Sequence, residues 1–199
     1  GSGAYASTGA VIAVDCANGS YSTNGTGNCV DVPAGKRGEN GSGAYASSGA
    51  VVAGVCGAGT YSTSGTGDCQ DIPNGSRGVN VSTAYVATGA VNIQSCPGGS
   101  YSTNGTGDCQ DVPAGSRGEN GSGAYASTGA VIAVACADGS YSTNGTGACT
   151  DVPNGKYGAN TNDVYVSSGA VKAVACPVGK YSTNGTGDCQ DIPNGQRGE

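Results

Sequence analysis

The residues able to do chemistry in this chain are its ten cysteines, Cys16, Cys29, Cys56, Cys69, Cys96, Cys109, Cys136, Cys149, Cys176 and Cys189, separated by alternating gaps of 13 and 27. There is no histidine to join them around zinc, and neither gap resembles the C-x2-C ligand pairs of a zinc site, so they read as disulfides. A translational repeat admits two pairings. In the expected one, each first cysteine joins the one 13 ahead and closes a loop inside its own repeat, contributing roughly 3 kcal/mol in the chain-entropy picture. A regular hairpin turning at Asn24-Gly25 would set Cys29 opposite Ser20, leaving Cys16 outside the Cα separation of about 4.4 to 6.8 Å that a bridge needs. The chain must therefore bend, and Gly19, Gly59, Gly99, Gly139 and Gly179 lie where it could. The alternative joins Cys29 to Cys56, leaves Cys16 and Cys189 for neighbouring repeats and welds the array covalently.

Other reactive groups are sparse. Asn-x-Ser/Thr sequons occur at Asn18, Asn24, Asn40, Asn74, Asn80, Asn104, Asn120, Asn144 and Asn184. The recurring Asn-Gly-Thr at Asn24, Asn104, Asn144 and Asn184 marks candidate glycan acceptors, although a tight turn selects Asn-Gly by itself. The stretch Asn104 to Asp111 faintly resembles the calcium-rich type 3 repeats of thrombospondin. Calcium takes about 6 to 8 oxygen ligands, whereas each repeat offers Asp31 or its copy and a neighbour that varies as Asn28, Asp68, Asp108, Ala148 and Asp188. No metal or other cofactor is expected. Without histidine, Ser and Thr lack their usual base and a C-x-x-C-H haem attachment is impossible, so no enzymatic role and no catalytic residue is expected. Gly-Thr-Gly-Asp-Cys is followed by no lysine and no helix, unlike a phosphate cradle.

These residues are positioned by a repeat of period 40 without insertions or deletions: 1–40, 41–80, 81–120, 121–160 and 161–199. Tyr5 and Tyr21, Pro33 and the Gly-Ala-Val of Gly9 to Val11 recur in all five copies. The 199 residues stop one short of five full periods, and the Gln-Arg-Gly-Glu end matches the Arg-Gly-Glu-Asn that elsewhere leads into Gly-Ser-Gly-Ala-Tyr. The expectation is a window of a longer array, or one subunit of a polymer joined end to end. Within a repeat, short runs of Ala, Val, Ile, Thr and Tyr broken by Gly, Asn-Gly and Pro predict strands and no helix. One strand covers Ala10 to Val14, with Val11 and Ala13 inward and position 12, which reads Ile12, Val52, Asn92, Ile132 and Lys172, facing solvent. Others surround Tyr5 and Tyr21. Asn24-Gly25 signals a hairpin turn, replaced by Ser64-Gly65 in the second copy, and Val32-Pro33-Ala34-Gly35 fits a type I turn. The Tyr positions supply the large apolar area that would pack one repeat on the next, with a sugar-binding platform as the sharper alternative.

Composition agrees with a stapled array. The chain has 39 Gly, no Met, Trp or Phe, and no Leu, so an ordinary core cannot fill a domain of this length. Small units in that position are stapled by disulfides in an oxidising compartment, which predicts an extracellular or cell-surface protein. A net charge of −6 with unclustered Lys and Arg excludes a nucleic-acid or anionic-membrane surface, and no apolar run is long enough for membrane insertion. The start, Gly-Ser-Gly-Ala-Tyr, has neither the charged nor the apolar region of a signal peptide.

The phrase Cys96-Pro97-Gly98-Gly99-Ser100-Tyr101-Ser102, continuing through Cys109 to Pro113 and Gly115, resembles the C-P-x-G-x-Y-S…C…P-x-G of cysteine-rich ephrin-receptor-like and tumour-necrosis-factor-receptor-like repeats. Cys176 to Gly195 does the same. The likeness covers about half of each repeat; only two copies keep the Pro after Cys, and those families carry more cysteines per repeat. It implies an extracellular, disulfide-stapled, elongated module rather than a receptor. The expected fold is thus all-β, a tandem array of five disulfide-stapled units forming a rod or solenoid. The expected function is a structural subunit or segment of an extracellular filament whose partners are copies of itself, head to tail. The competing readings are an adhesin stalk and a glycan- or ice-binding array using Ser22, Thr23 and Thr26.

Overall fold

The computed structural model describes residues 5–10 and 12–199. Among these there is no helix, and eighteen short strands form nine two-stranded sheets. The chain falls into two compact units, Gly1–Gln94 with Asn104–Asp108, and Ser95–Thr103 with Cys109–Glu199.

One period of the pattern shows how the sequence builds it. Strands β1 (Ser20–Tyr21) and β2 (Val30–Asp31) pair antiparallel, with Ser20 opposite Asp31 and Tyr21 opposite Val30. Strands β3 (Lys36–Glu39) and β4 (Val52–Val55) pair antiparallel from Lys36 opposite Val55 to Glu39 opposite Val52. This second sheet carries the chain across the 40/41 boundary. In the copies the strand expected at Ala10 to Val14 starts two residues later and ends one later, at Val52–Val55 and Ile132–Ala135, while residues 12–15 themselves are in no strand. Around Tyr45 there is a single bridge to Glu39 rather than a strand.

Both turn expectations are corrected. Asn24-Gly25 is not the two-residue turn of a tight hairpin, because the register of β1 on β2 leaves the whole of 22–29 as loop. Side chains organise that loop: Ser22 Oγ accepts from the Gly25 N–H at 3.1 Å, and Asn24 Oδ1 accepts from the Thr26 N–H at 3.2 Å. The proline turn is not Val32 to Gly35 but Pro33 to Lys36, closed by the Lys36 N–H on the Pro33 carbonyl at 3.2 Å. Gly35 stands third in it with φ +79°, the left-handed value that a type II turn requires there. The reason is tertiary, since both peptide groups flanking Gly35 are hydrogen-bonded to the following repeat.

The core is small. In the second unit Val112, Ala130, Cys136, Val152, Ala159 and Ala170 are buried, and in the first Val32, Ala50, Cys56, Ile72, Val79 and Ala90. Gly118 lets the Ala130 methyl approach to within 2.8 Å of where a β-carbon would stand, with Val112 beside it. The largest fully buried side chains are Cys56, Cys96 and Cys136, so cystine takes the place that Leu or Phe holds elsewhere. Position 12 faces solvent as expected in four copies, Ile12, Val52, Asn92 and Ile132 being exposed, whereas Lys172 is half-buried, and Ala13, expected inward, is exposed. Val11 lies outside the described residues, and its copies Val51, Val91, Val131 and Val171 are half-buried.

Candidate functional site

The shorter cysteine spacing is the one bridged. Cys16–Cys29, Cys56–Cys69, Cys96–Cys109, Cys136–Cys149 and Cys176–Cys189 are disulfides with Cα separations of 5.6 to 5.7 Å, and no free cysteine remains. The bend that makes this possible falls at Gly19, with φ +83°, inside a turn closed by the Ser20 N–H on the Ala17 carbonyl at 3.0 Å. That turn folds Cys16 back toward β2, and the shifted register of β1 on β2 brings Cys29 to meet it. Five such structural bridges belong to an oxidising environment.

Where sequence motifs offered no active centre, the structure offers a junction used repeatedly. In the first unit the Gly35 N–H donates to the Ser62 carbonyl at 2.6 Å, and the Gly35 carbonyl accepts from the Cys56 N–H at 3.0 Å. Gly49 donates to the Cys16 carbonyl at 2.8 Å and Ser22 to the Ala50 carbonyl at 3.0 Å. The second unit repeats the same bonds: Gly115 to Ser142 at 2.6 Å, Cys136 to Gly115 at 2.8 Å, Gly129 to Cys96 at 2.7 Å and Ser102 to Ala130 at 3.0 Å. Side chains seal each step. The Thr66 methyl sits 2.8 Å from where a β-carbon on Gly19 would be, as the Thr146 methyl does at Gly99. Gly65 and Gly145 are buried against Val32 and Val112. Because the contact is mostly backbone, it tolerates the sequence variation among copies, and sequence inspection had only the invariant glycines to signal it.

Apart from Tyr5, which is exposed, the tyrosines are half-buried. Tyr45 donates through its hydroxyl to Asn18 Oδ1 at 3.3 Å, Tyr165 to Asp138 Oδ2 at 3.2 Å, Tyr125 to the Thr146 carbonyl at 3.3 Å, and Tyr5 to the Thr26 carbonyl. Partial burial, followed by the charge of Asp138, pushes the Tyr165 hydroxyl above its ordinary value.

The chain matches no protein-family model. No curated protein sequence matches it either.

Two of the carboxylates weighed as calcium ligands, Asp68 and Asp108, are held by arginine. Arg37 Nη1 lies 2.7 Å from Asp68 Oδ1 and Arg77 Nη1 lies 2.7 Å from Asp108 Oδ1, one repeat reaching the next. Ala148 stands where the next Asp would be, and Arg117 instead holds the buried Glu119 through Nη2 at 2.7 Å and Nε at 2.9 Å. Arg77, with Val79 in place of that Glu, takes Gln94 at 2.9 Å. Among the described residues no three of His, Cys, Asp and Glu gather as metal ligands.

The hydrogen bond from Arg37 holds the Asp68 carboxyl below its ordinary value, and the same bond raises Arg37. A lowered carboxyl contributes stability that is complete above its unfolded value, near 3.8, and is lost as pH falls through the lower folded value. Asp68 is half-exposed, so solvent screening keeps the effect under about 1 kcal/mol. Asp68→Asn is therefore expected to flatten the acid limb of a stability-against-pH curve slightly and to leave neutral-pH stability within that margin, as thermal melts between pH 2 and pH 7 would measure. A change larger than that margin would give the pair a structural role that its exposure does not explain.

Proposed function

We propose that the chain is a structural subunit or segment of an extracellular filament, in which disulfide-stapled repeats follow one another through a single reused junction. The observation that carries this reading is the identity of that junction, Gly35 on Ser62 in one unit and Gly115 on Ser142 and Gly155 on Ser182 in the other, at 2.6 to 2.7 Å each time. A contact that recurs without depending on particular side chains suits propagation, since array stability is then a sum of repeats and nearest-neighbour interfaces. A further copy would continue it head to tail. A heterologous contact of this kind that does not close into a ring makes an open fibre. The likeness of Cys96 to Gly115 to ephrin-receptor-like and tumour-necrosis-factor-receptor-like repeats supports the extracellular part of the reading, and a glycosylated surface belongs to it.

Negative-stain electron microscopy of the native material tests the proposal. A long uniform fibre is expected. Short stalks tipped by unlike domains would overturn it in favour of an adhesin, and so would a purified chain that stays monomeric at high concentration from a gene encoding no further copies.

A further inference from the structure

The structure separates two classes of Asn-x-Ser/Thr that look alike in sequence. At Asn40, Asn80 and Asn120 the side chain closes a turn: Asn40 Oδ1 accepts from the N–H groups of Ser42 and Ala44 at 3.0 Å, and from the Ser42 hydroxyl at 2.8 Å. The fourth repeat keeps this asparagine while losing the sequon. Asn160, followed by Thr161 and Asn162, makes the equivalent bonds to the N–H groups of Asn162 and Val164 at 2.9 and 3.1 Å. Here the backbone needs asparagine whether or not a sequon results.

At Asn24, Asn104, Asn144 and Asn184 the logic runs the other way. The second repeat has Ser64, whose hydroxyl lies 2.7 Å from that of Thr66, and the loop is unchanged: Gly65 has φ +69°, against +70° at Gly25 and +69° at Gly105. Serine also leaves the bond from the Gly65 N–H to Ser62 Oγ at 3.1 Å, as at Gly25 and Gly145. Nor does the threonine need the sequon, since the Thr66 methyl packs on Gly19 just as Thr106 packs on Gly59. Asparagine in the other four repeats is thus not required by the turn. Its Oδ1 accepts from the threonine N–H at 3.2 Å and from the threonine hydroxyl at 2.6 to 2.8 Å, but the second loop keeps its shape with Ser64 in that place, so what asparagine adds beyond the turn is an exposed carboxamide on a loop pinned by a disulfide. Among the described residues no acceptor takes a hydrogen bond from its Nδ2.

We infer that Asn24, Asn104, Asn144 and Asn184 carry N-linked glycans, one on the 22–29 loop or its copy in every repeat except the second. The inference rests on the extracellular reading above, because the donor is an oligosaccharide on a membrane lipid diphosphate, met during secretion. In the transfer Nδ2 bonds to the anomeric carbon and the bond from that carbon to the diphosphate oxygen breaks. The lipid diphosphate leaves with the electron pair, and the amide proton passes to a base of the transferring enzyme.

The test is glycopeptide mapping of the native secreted protein, with and without peptide N-glycosidase in heavy-oxygen water so that each released site is marked. Sugar is expected at Asn24, Asn104, Asn144 and Asn184, at higher occupancy than at Asn40, Asn80 and Asn120. Finding those four unmodified, or no more occupied than the Asn40 class, overturns the inference. Ser64→Asn, expressed in the same secreting cells, should add a fifth glycan on the second loop with no change in disulfide pairing. If the loop gains none while the other four are occupied, its geometry is not what the transferase accepts and the argument fails. Uniform fibres without sugar would sink this inference and leave the filament reading standing; sugar without fibres would do the reverse.

Discussion

Reduction of the five disulfides is expected to unfold the chain at room temperature. Each bridge closes a loop over a sequence separation of 13, which contributes roughly 3 kcal/mol in the chain-entropy picture. Five together are worth about 15 kcal/mol, the whole of what a typical domain has to spare. Little else can compensate, because the chain has no Leu, Met, Phe or Trp and its largest fully buried side chains are themselves cysteines. Far-ultraviolet circular dichroism during heating should show a cooperative transition for the oxidised protein and none for the reduced and alkylated one. A reduced chain that still melts cooperatively would mean that backbone junctions alone suffice. Removing one bridge by replacing Cys136 and Cys149 with alanine should cost about 3 kcal/mol. Because neighbours in an array couple only through their interfaces, faster amide exchange should be confined to residues near that repeat.

The cysteine spacing already argued for a stapled array, since a period of 40 without insertions leaves few ways to pair ten thiols, and the absence of large apolar residues made the staples necessary. The all-β class was equally legible, from β-branched runs cut by Gly and Pro. What could not be read locally were the turns. Asn24-Gly25 carries the strongest short-range hairpin signal, yet the loop runs from 22 to 29 because the disulfide at Cys29 and the bend at Gly19 set the register of β1 on β2. Pro33 was misplaced by one position for a similar reason. Local rules put Gly35 at the end of a type I turn, whereas its partners Ser62 and Cys56 lie in the next repeat and draw it to the third position of a type II turn. Tyrosine, expected as the packing surface between repeats, contributes hydroxyl bonds from half-buried rings, while glycine backbone makes the junction itself. That is a contact no hydrophobic pattern announces. Recurrence of Asn-Gly-Thr singles out Asn24, Asn104, Asn144 and Asn184 in the sequence, but the reason to set them apart from the Asn40 class lies in the bonds made by Ser64 and Asn160, the two copies that break the pattern in opposite senses.

Gly115→Ala is expected to be among the most damaging single methyls in the described residues. Gly115 has φ +80°, and a left-handed residue bearing a β-carbon costs about 1 to 2 kcal/mol. The new carbon would also overlap the Gly169 carbonyl oxygen, across a junction where Gly115 donates to Ser142 at 2.6 Å and accepts from Cys136 at 2.8 Å. Opening that contact forfeits both bonds, at about 1 kcal/mol each, for a total near 3 to 4 kcal/mol. Two other glycines in the same unit divide this sum into its parts. Gly155 has φ +74° and makes the same bonds, to Ser182 at 2.7 Å and from Cys176 at 2.9 Å, but an added β-carbon there meets nothing within 4 Å. Gly155→Ala should therefore cost only the conformational share of about 1 to 2 kcal/mol. Gly121 is in open space at an ordinary φ, and Gly121→Ala should stay within about 0.5 kcal/mol of the parent. Denaturant melts of the three variants in oxidised protein would rank them. If Gly115→Ala and Gly155→Ala cost the same, the overlap with the Gly169 carbonyl, two repeats on, is relieved without opening the junction, and the larger figure for Gly115 is wrong.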